Sequence, residues 1–565
     1  MRRWCPTGLP DVLVPPPAPP ATSATTPSTL DQHSLNLFVT DAMGHDVNAS
    51  LMATSWSTPS LFAIEFLRCT TFTRRGPSPV TSHTFRSGGT VPRRTLTVAI
   101  AVTALATPLA FFATSGTASA VPVPPRTPMT DFNHDGHADL AVAAPFGTVG
   151  GVEKAGYVSV VYGTASGPGT AGHQMISRAT PGVPGDLQDT FAFGAQTLPG
   201  DLDGDSYTDL LVVGGGDSGE PTVLWGSKDG LTGQNTVLPY RYSEFALGDF
   251  NGDGKRDLVV NSVPNDDPDV SGMTIQYGPF TRDGKTRTQD SITTDDGSSG
   301  LRSFITGDLT GDGVDDIVTT HGFEEMQHEA RFWKGSRTGV GHTAKALGTA
   351  YSGTVGDVDG DGYGDLITRD IGSVSEVIDD APGSITIQYG GSTGPSSTRK
   401  KVITQATAGV PGASEAHDAF GASLSAGDVN GDGRAEVAVG VPGESLGAAT
   451  GTGAVILLKG ASKSAGGMTG KGALAYNQST AGVPGVSESG DDFGRQVSLS
   501  DLNKDGKADL TATAPGEDGA FADSGALWNL YGSASGLTTT GAGTLSPVKL
   551  GAPEKDAQFG HTLGG

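Results

Sequence analysis

Apolar residues along this chain gather in short runs, and seven of these runs begin at the same place, immediately after a nine-residue polar segment. Leu140-Ala-Val142 follows Asp139, and Leu258-Val-Val260 follows Asp257. The runs are too short and too rich in Val, Leu and Ile for helices, and they predict β-strands. A second set of runs ends on an aromatic residue and glycine: Tyr157-Val-Ser-Val-Val-Tyr162-Gly163, Thr222-Val-Leu-Trp225-Gly226, Ile385-Thr-Ile-Gln-Tyr389-Gly390 and Ala526-Leu-Trp-Asn-Leu-Tyr531-Gly532. These predict a later strand of the same unit and its closing turn. The polar segments begin at Asp131, Asp201, Asp249, Asp308, Asp357, Asp428 and Asp501, so successive copies are 70, 48, 59, 49, 71 and 73 residues apart. Such spacings exceed a helical solenoid repeat and suit one small sheet per repeat.

The polar segment reads Asp-x-(Asn/Asp/Thr)-x-Asp-(Gly/Ser)-x-x-(Asp/Glu), with acidic residues at positions 1, 5 and 9 in every copy. Calcium takes six to eight oxygens, several of them anionic, on a tightly bent backbone. Side chains at positions 1, 3, 5 and 9 and the carbonyl of position 7 are the expected ligands. The candidate metal sites, up to seven Ca2+, are therefore Asp131, Asn133, Asp135, His137 and Asp139 in the first loop, and Asp201, Asp203, Asp205, Tyr207 and Asp209 in the second. The third has Asp249, Asn251, Asp253, Lys255 and Asp257; the fourth has Asp308, Thr310, Asp312, Val314 and Asp316. The fifth has Asp357, Asp359, Asp361, Tyr363 and Asp365; the sixth has Asp428, Asn430, Asp432, Arg434 and Glu436; the seventh has Asp501, Asn503, Asp505, Lys507 and Asp509. An EF-hand would need an acid at position 12, where Val142, Val212, Val260, Thr319, Thr368, Val439 and Ala512 stand, so these are hairpin loops between two strands. The Asp357 loop, with four carboxylates, is expected to bind tightest. The Asp201 loop (Ser206 in place of Gly), the Asp308 loop (Thr310) and the Asp428 loop (Glu436) are expected to empty first.

The remaining composition agrees with an all-β reading: 85 Gly and 35 Pro among 565 residues suit many turns. The apolar stretch Thr95–Thr114, preceded by Arg93-Arg94 and closed by Ala118-Ser119-Ala120, reads as a signal peptide of the ordinary secretory route rather than a membrane span, because Pro108 interrupts it. Residues 1–90 carry both cysteines and read as a mis-assigned translation start, with Val91 as initiator, or as a disordered leader; 91–120 is the signal, 121–130 a Pro-rich linker and 131–565 the repeat domain. A secreted chain without disulfides must gain stability elsewhere. The formal net charge of −25 argues against nucleic acid or an anionic membrane as partner.

Around the loops, Phe193-Gly194, Phe420-Gly421 and Phe493-Gly494 precede three of them, while Ala144-Pro145, Val441-Pro442 and Ala514-Pro515 end the strands that follow. These motifs resemble the FG-GAP repeat, and residues 131–565 resemble the β-propeller of integrin α subunits and its secreted bacterial relatives. The repeats at Asp249, Asp308 and Asp357 lack both motifs. The resemblance implies an all-β, seven-bladed propeller with calcium-binding hairpin loops. A stray Phe559-Gly560 near the C-terminus has no loop after it, and the first loop has no Phe-Gly before it, so the C-terminal segment is expected to complete the first blade.

The resemblance also implies binding rather than turnover: adhesion to, or recognition of, an extracellular glycan or protein by a secreted or cell-wall-associated monomer. The alternative is a calcium-dependent polysaccharide lyase or hydrolase on the same fold. No catalytic residue is nominated. Gly390-Gly-Ser392-Thr-Gly394 has the form of a nucleophile motif, yet the same turn recurs as Gly163-Thr-Ala-Ser-Gly167 and Gly532-Ser-Ala-Ser-Gly536, so Ser392 reads as a turn residue. His134 and His137 are expected to be solvated. His417, His561 and the Glu324-Glu325 pair read as surface, and the segments 180–185, 408–412 and 481–485 as candidate rim loops.

Overall fold

The structure, a computed structural model, describes residues 34–40, 46–52 and 130–564, apart from 171, 190–191, 215–219, 241–243, 263–270, 295–299, 324–325 and 373–381. The signal peptide, nearly all of the Pro-rich linker and Glu324-Glu325 lie outside the described residues. The chain divides into two units, Met1–Ser115 and Gly116–Gly565. In the first, Ser34–Thr40 pairs antiparallel with Asp46–Met52, strands that the sequence pattern had not suggested.

The second unit is a seven-bladed β-propeller, one antiparallel sheet per loop. Blade 2 runs Gln196–Gly200, Asp209–Val213, Thr222–Leu224, Asn235–Val237, and blade 3 runs Phe245–Gly248, Asp257–Ser262, Gly272–Tyr277, Thr288–Thr293. Blade 4 runs Gly300–Gly307, Asp316–Phe323, Glu329–Trp333, Lys345–Thr349, with the short strand Met326–Gln327 added beside its second strand. Blades 5, 6 and 7 start at Ser352–Gly356, Leu424–Gly427 and Val497–Ser500 and end at Lys400–Ile403, Leu474–Tyr476 and Thr538–Leu545. Blade 1 draws on both ends of the unit: the C-terminal strand Thr562–Gly564 pairs with Leu140–Ala144 (Val142 opposite Leu563), followed by Tyr157–Val161 and His173–Ile176.

The second strand of each blade is apolar in continuous runs because both of its faces are covered. Leu140–Ala144, Asp209–Val213, Glu436–Val441 and Asp509–Ala514 are buried at every residue. Outer strands such as Thr288–Thr293 are largely exposed. The core lies between blades: Leu527 and Leu545 of blade 7 pack with Leu140 and Tyr157 of blade 1, and Val455 of blade 6 packs with Trp528 of blade 7.

The Phe-Gly motif is the clamp between blades. The amides of Phe193, Phe420, Phe493 and Phe559 donate to the carbonyls of Ala155, Pro382, Thr452 and Ser524, each just before the third strand of the preceding blade. There the chain passes through Gly156, Gly383, Gly453 and Gly525, where an added Cβ would lie 2.2–2.4 Å from a backbone atom of the incoming phenylalanine. Phe420, Phe493 and Phe559 are fully buried. The Phe therefore needs a glycine partner in the neighbouring blade, and the two form one device.

Candidate functional site

Six of the acidic loops join the first strand of a blade to the second, and the Asp131 loop leads into the second strand of blade 1, so all seven gather on one face, together with the turns that follow the third strands. The Phe-Gly strands and the loops after Ala/Val-Pro lie at the opposite ends of the strands, on the other face.

Within each loop the carboxylates first bend the backbone. Asp249 Oδ1 and Oδ2 accept from the amides of Asp253 (3.0 Å) and Gly254 (2.8 Å), and Asp131, Asp308 and Asp501 do the same in their own loops. Position 5 accepts from the position 7 amide in all seven copies: His137, Tyr207, Lys255, Val314, Tyr363, Arg434 and Lys507. Position 6 is left-handed throughout, and Ser206 at φ 78° shares the backbone of Gly254 at φ 80°, a conformation that favours glycine.

Position 9 has a task that the sequence pattern did not disclose. Asp257 is fully buried; one oxygen accepts from the Phe250 amide and the other from the Gly278 amide, both at 2.8 Å. Asp139, Asp209, Asp316, Asp365 and Asp509 likewise each take the amide of position 2 and that of the glycine in the aromatic-Gly turn. This acid clasps the loop to the third strand. Burial pushes these carboxyls, and that of Glu436, up to about 7 against the pull of the backbone donors.

The loops are also laced to one another. The position 8 amides of Thr208, Asp315, Gly364, Ala435 and Ala508 donate to the position 1 carbonyls of the preceding blade: Asp131, Asp249, Asp308, Asp357 and Asp428. Phe280 and Gly391, just past aromatic-Gly turns, and Ala461, just past Gly460, donate to the position 2 carbonyls of the blade before.

Two loops bring carboxylates together most closely. One oxygen from each of Asp201, Asp203 and Asp209 lies within 4.8 Å of the others, and the same holds for Asp357, Asp359 and Asp361. Asp359 Oδ1 is buried with no hydrogen-bond partner, an acceptor facing other acceptors. An oxygen-only, mostly anionic donor set is the kind that a hard divalent cation takes. The chain's own cations stand over several loops. Arg282 of blade 3 pairs with Asp203 (2.7 Å) and Asp205 (2.8 Å) of blade 2, and Lys334 pairs with Asp312 (2.9 Å). Arg399 lies 3.9 Å over the Tyr389 ring and pairs with Asp359 and with Asp361 at 3.5 Å. The first loop's His134 tilts against Tyr207 of the next blade, ring centroids 5.5 Å apart, and His137 Nδ1 is buried without a partner. His134 is nonetheless exposed, whereas His137 is partly buried and not simply a solvated side chain.

Beside the Asp357 loop the same face carries an open recess of about 510 Å³, lined mainly by polar groups including Asp361, Tyr363, Ser392, Arg399, Lys345 and Lys463. Ser392 sits in the turn Gly390–Gly394, where the Gly394 amide donates to the Gly391 carbonyl at 2.7 Å. Among the described residues no helix is long and apolar enough to cross a membrane.

Fold and site together define a β-propeller whose hairpin loops are acidic and mutually laced. The family described as "FG-GAP repeat" matches residues 127–161, 420–458 and 493–530, and that described as "FG-GAP-like repeat" matches residues 201–260; the chain carries FG-GAP repeats. No curated protein matches the chain. Among solved structures, the crystal structure of the rhamnogalacturonan lyase YesW is 13% identical, with a TM-score of 0.23; the match covers 72% of this chain and 65% of that one.

Proposed function

We propose that this is an exported, calcium-loaded FG-GAP propeller that acts by binding an extracellular glycan or protein. The observation that carries the reading is the laced ring of acidic loops beside the recess at Asp361, Tyr363 and Arg399. Positions 1, 3, 5 and 9 of each loop, with the carbonyl of position 7, would hold the ion, and position 9 would also support the loop through its clasp. Bound calcium would neutralise the crowded carboxylates and stiffen loops that no disulfide restrains. FG-GAP repeats are typical of extracellular proteins, which supports export. The recess mixes Lys, Arg, Asp, Ser and Tyr in an open, polar surface, chemistry suited to a hydroxyl-rich or acidic glycan, with Tyr363 available for stacking on a sugar face.

The test is incubation of the protein, in millimolar calcium, with a panel of neutral and acidic polysaccharides, scoring both retention and release of soluble fragments. Retention without fragments, reduced by Tyr363→Ala, is expected. Release of fragments that stops on adding EDTA would overturn the reading in favour of a carbohydrate-active enzyme.

A further inference from the structure

On the face opposite the acidic loops, two blade junctions repeat a second oxygen cluster. Gln405 and Gln478 stand two residues beyond the last strands of blades 5 and 6. Asp418 and Asp491 stand two residues before the Phe of blades 6 and 7, and Glu444 and Glu517 two residues after the Val-Pro and Ala-Pro prolines. Gln405 Nε2 donates to Glu444 Oε2 at 2.5 Å, and Gln478 Nε2 donates to Glu517 Oε2. Asp418 and Asp491 each accept through Oδ2 from the Glu415 and Glu488 amides, both at 2.6 Å.

Backbone contacts force the acids together. The amides of Gly443 and Gly516 donate to the Asp418 and Asp491 carbonyls, and a Cβ at either glycine would lie 1.7 Å from the His417 oxygen or 1.9 Å from that of Gly490. The glutamate next in sequence is thereby held beside the aspartate. Gln405 and Gln478 are 3% and 2% exposed, Asp418 and Asp491 1% and 2%. The charges bearing on Glu517 are Asp491, Glu488 and Asp518, and those on Glu444 are Asp418 and Glu415, all acidic, while His417 bears on Asp418.

Each cluster also has an oxygen with nothing to bind. Gln405 Oε1 and Gln478 Oε1 are buried without any hydrogen-bond partner, although the same amide groups donate into the carboxylates. A buried carbonyl without a donor costs free energy, and the two ends of an amide exchange places by a half-turn of the terminal torsion. Turned over, the oxygen would face the Glu oxygen that the amide nitrogen now meets, and acceptors facing one another call for a cation between them.

A third junction supports this by contrast. Between blades 1 and 2 the place of the glutamine is taken by Arg178, whose Nη1 donates to the Pro184 carbonyl at 2.7 Å, and Glu415 is replaced by Gln188. A Cβ on Gly185 would lie 2.1 Å from that guanidinium, just as one on Gly412 would lie 2.7 Å from Gln405 Nε2. There the chain supplies its own cation in the same cradle, and the charge of Glu220 bears on it.

We propose that Gln405/Asp418/Glu444 and Gln478/Asp491/Glu517 are two further divalent-cation sites of calcium type, separate from the hairpin loops, each fastening one blade to the next. An all-oxygen set of two carboxylates and an amide suits a hard cation and not a soft one.

The experiment counts calcium bound per full-length chain after equilibration in calcium and removal of free ion, beside melting curves in calcium and in EDTA. The variant Glu444→Gln/Glu517→Gln is expected to hold two fewer ions than the parent. In EDTA it should melt at or above the parent, since it loses two unmatched buried charges. Gln478→Arg, which copies the Arg178 solution, is expected to fold and to hold one ion fewer. Asp253→Asn serves as the loop control and lowers the count on its own, so failure of the loop reading and failure of this one are distinguishable. Equal counts in parent, Glu444→Gln/Glu517→Gln and Gln478→Arg would overturn the proposal. So would a parent whose cluster variants leave the count unchanged and which is instead stabilised in EDTA by lowering the pH from about 8 to about 5, which would assign the clusters to shared protons.

Discussion

If position 9 is a clasp as well as a ligand, its loss must be felt without any metal. Asp257→Ala removes the fully buried acceptor of two amides, Phe250 and Gly278, each at 2.8 Å. Each orphaned amide costs about 1–3 kcal/mol, so the substitution costs about 2–6 kcal/mol. Unfolding entropy runs at about 2 cal/mol/K per residue, or about 1 kcal/mol/K for a unit of this size, so Tm should fall by about 2–6 °C in EDTA. The comparison is Asp253→Ala in the same loop, whose exposed carboxylate accepts from the Lys255 amide at 2.9 Å. That variant should melt within about 1 °C of the parent in EDTA, since exposed bonds are replaced by water. In calcium at about a hundred times Kd it forgoes up to about 2.7 kcal/mol of binding stabilisation. Differential scanning calorimetry of the three proteins, with and without chelator, makes the comparison. An Asp257→Ala protein that melts with the parent in EDTA would refute the clasp and return position 9 to ligand chemistry alone.

The remaining expectations are smaller. Ser206→Gly should stabilise the protein by about 0.5–1 kcal/mol, the left-handed strain of about 1–2 kcal/mol relieved less the added freedom of the unfolded chain; Gly254→Ser, where a Cβ meets nothing within 4 Å, should cost the same, and equal melting of all three in EDTA would count against it. Arg399→Ala frees Asp359 and Asp361 and should raise the calcium affinity of the Asp357 loop about five-fold, worth about 1 kcal/mol, read by titration against a chromophoric chelator. The Asp201, Asp308 and Asp428 loops should empty before the Asp357 loop in such a titration, and the reverse order would contradict the carboxylate count. Deleting residues 556–565 removes fully buried Phe559 and the pairing on Leu140–Ala144 and should cost at least about 3–5 kcal/mol; an unchanged melting curve would mean that blade 1 does not need its C-terminal strand.

Much of this propeller was legible because its signals are local. A loop and the strand beside it are adjacent in sequence, so seven copies of an acidic nonapeptide followed by apolar runs announce seven hairpins and, with the aromatic-Gly turns, seven sheets. What was not legible depends on groups that meet only in three dimensions. The ladder from each position 8 amide to the carbonyl of the previous loop joins backbone atoms, which no side-chain pattern encodes. Position 9 looked like a ligand because its residue type is right; only the fold reveals that the Gly278 amide arrives at Asp257 from 21 residues away. The Phe of Phe-Gly was recognised, but not the need for Gly156, Gly383, Gly453 and Gly525, because that need is steric and lies in another blade.

The second oxygen cluster is different, since its trace lies in the sequence as a repeated spacing. Gln405 and Glu444 are 39 residues apart, and so are Gln478 and Glu517. Each pair brackets the same Gly-Val-Pro-Gly, Phe-Gly and acidic-loop series. Taken singly, a glutamine after a strand and a glutamate after Pro-Gly are ordinary surface residues, which is how such types are usually found. Taken as a pair kept at one spacing, with Arg178 in the glutamine's place at a junction where Glu220 bears on it, they describe a contact in which the chain supplies a cation at one copy and none at two others. In a repeat protein each interface is presented several times, so correlated substitution can be sought between copies within a single chain. A cation that the chain supplies at one copy and omits at two others is then evidence for a partner at those two, and the partner proposed there is a metal cation.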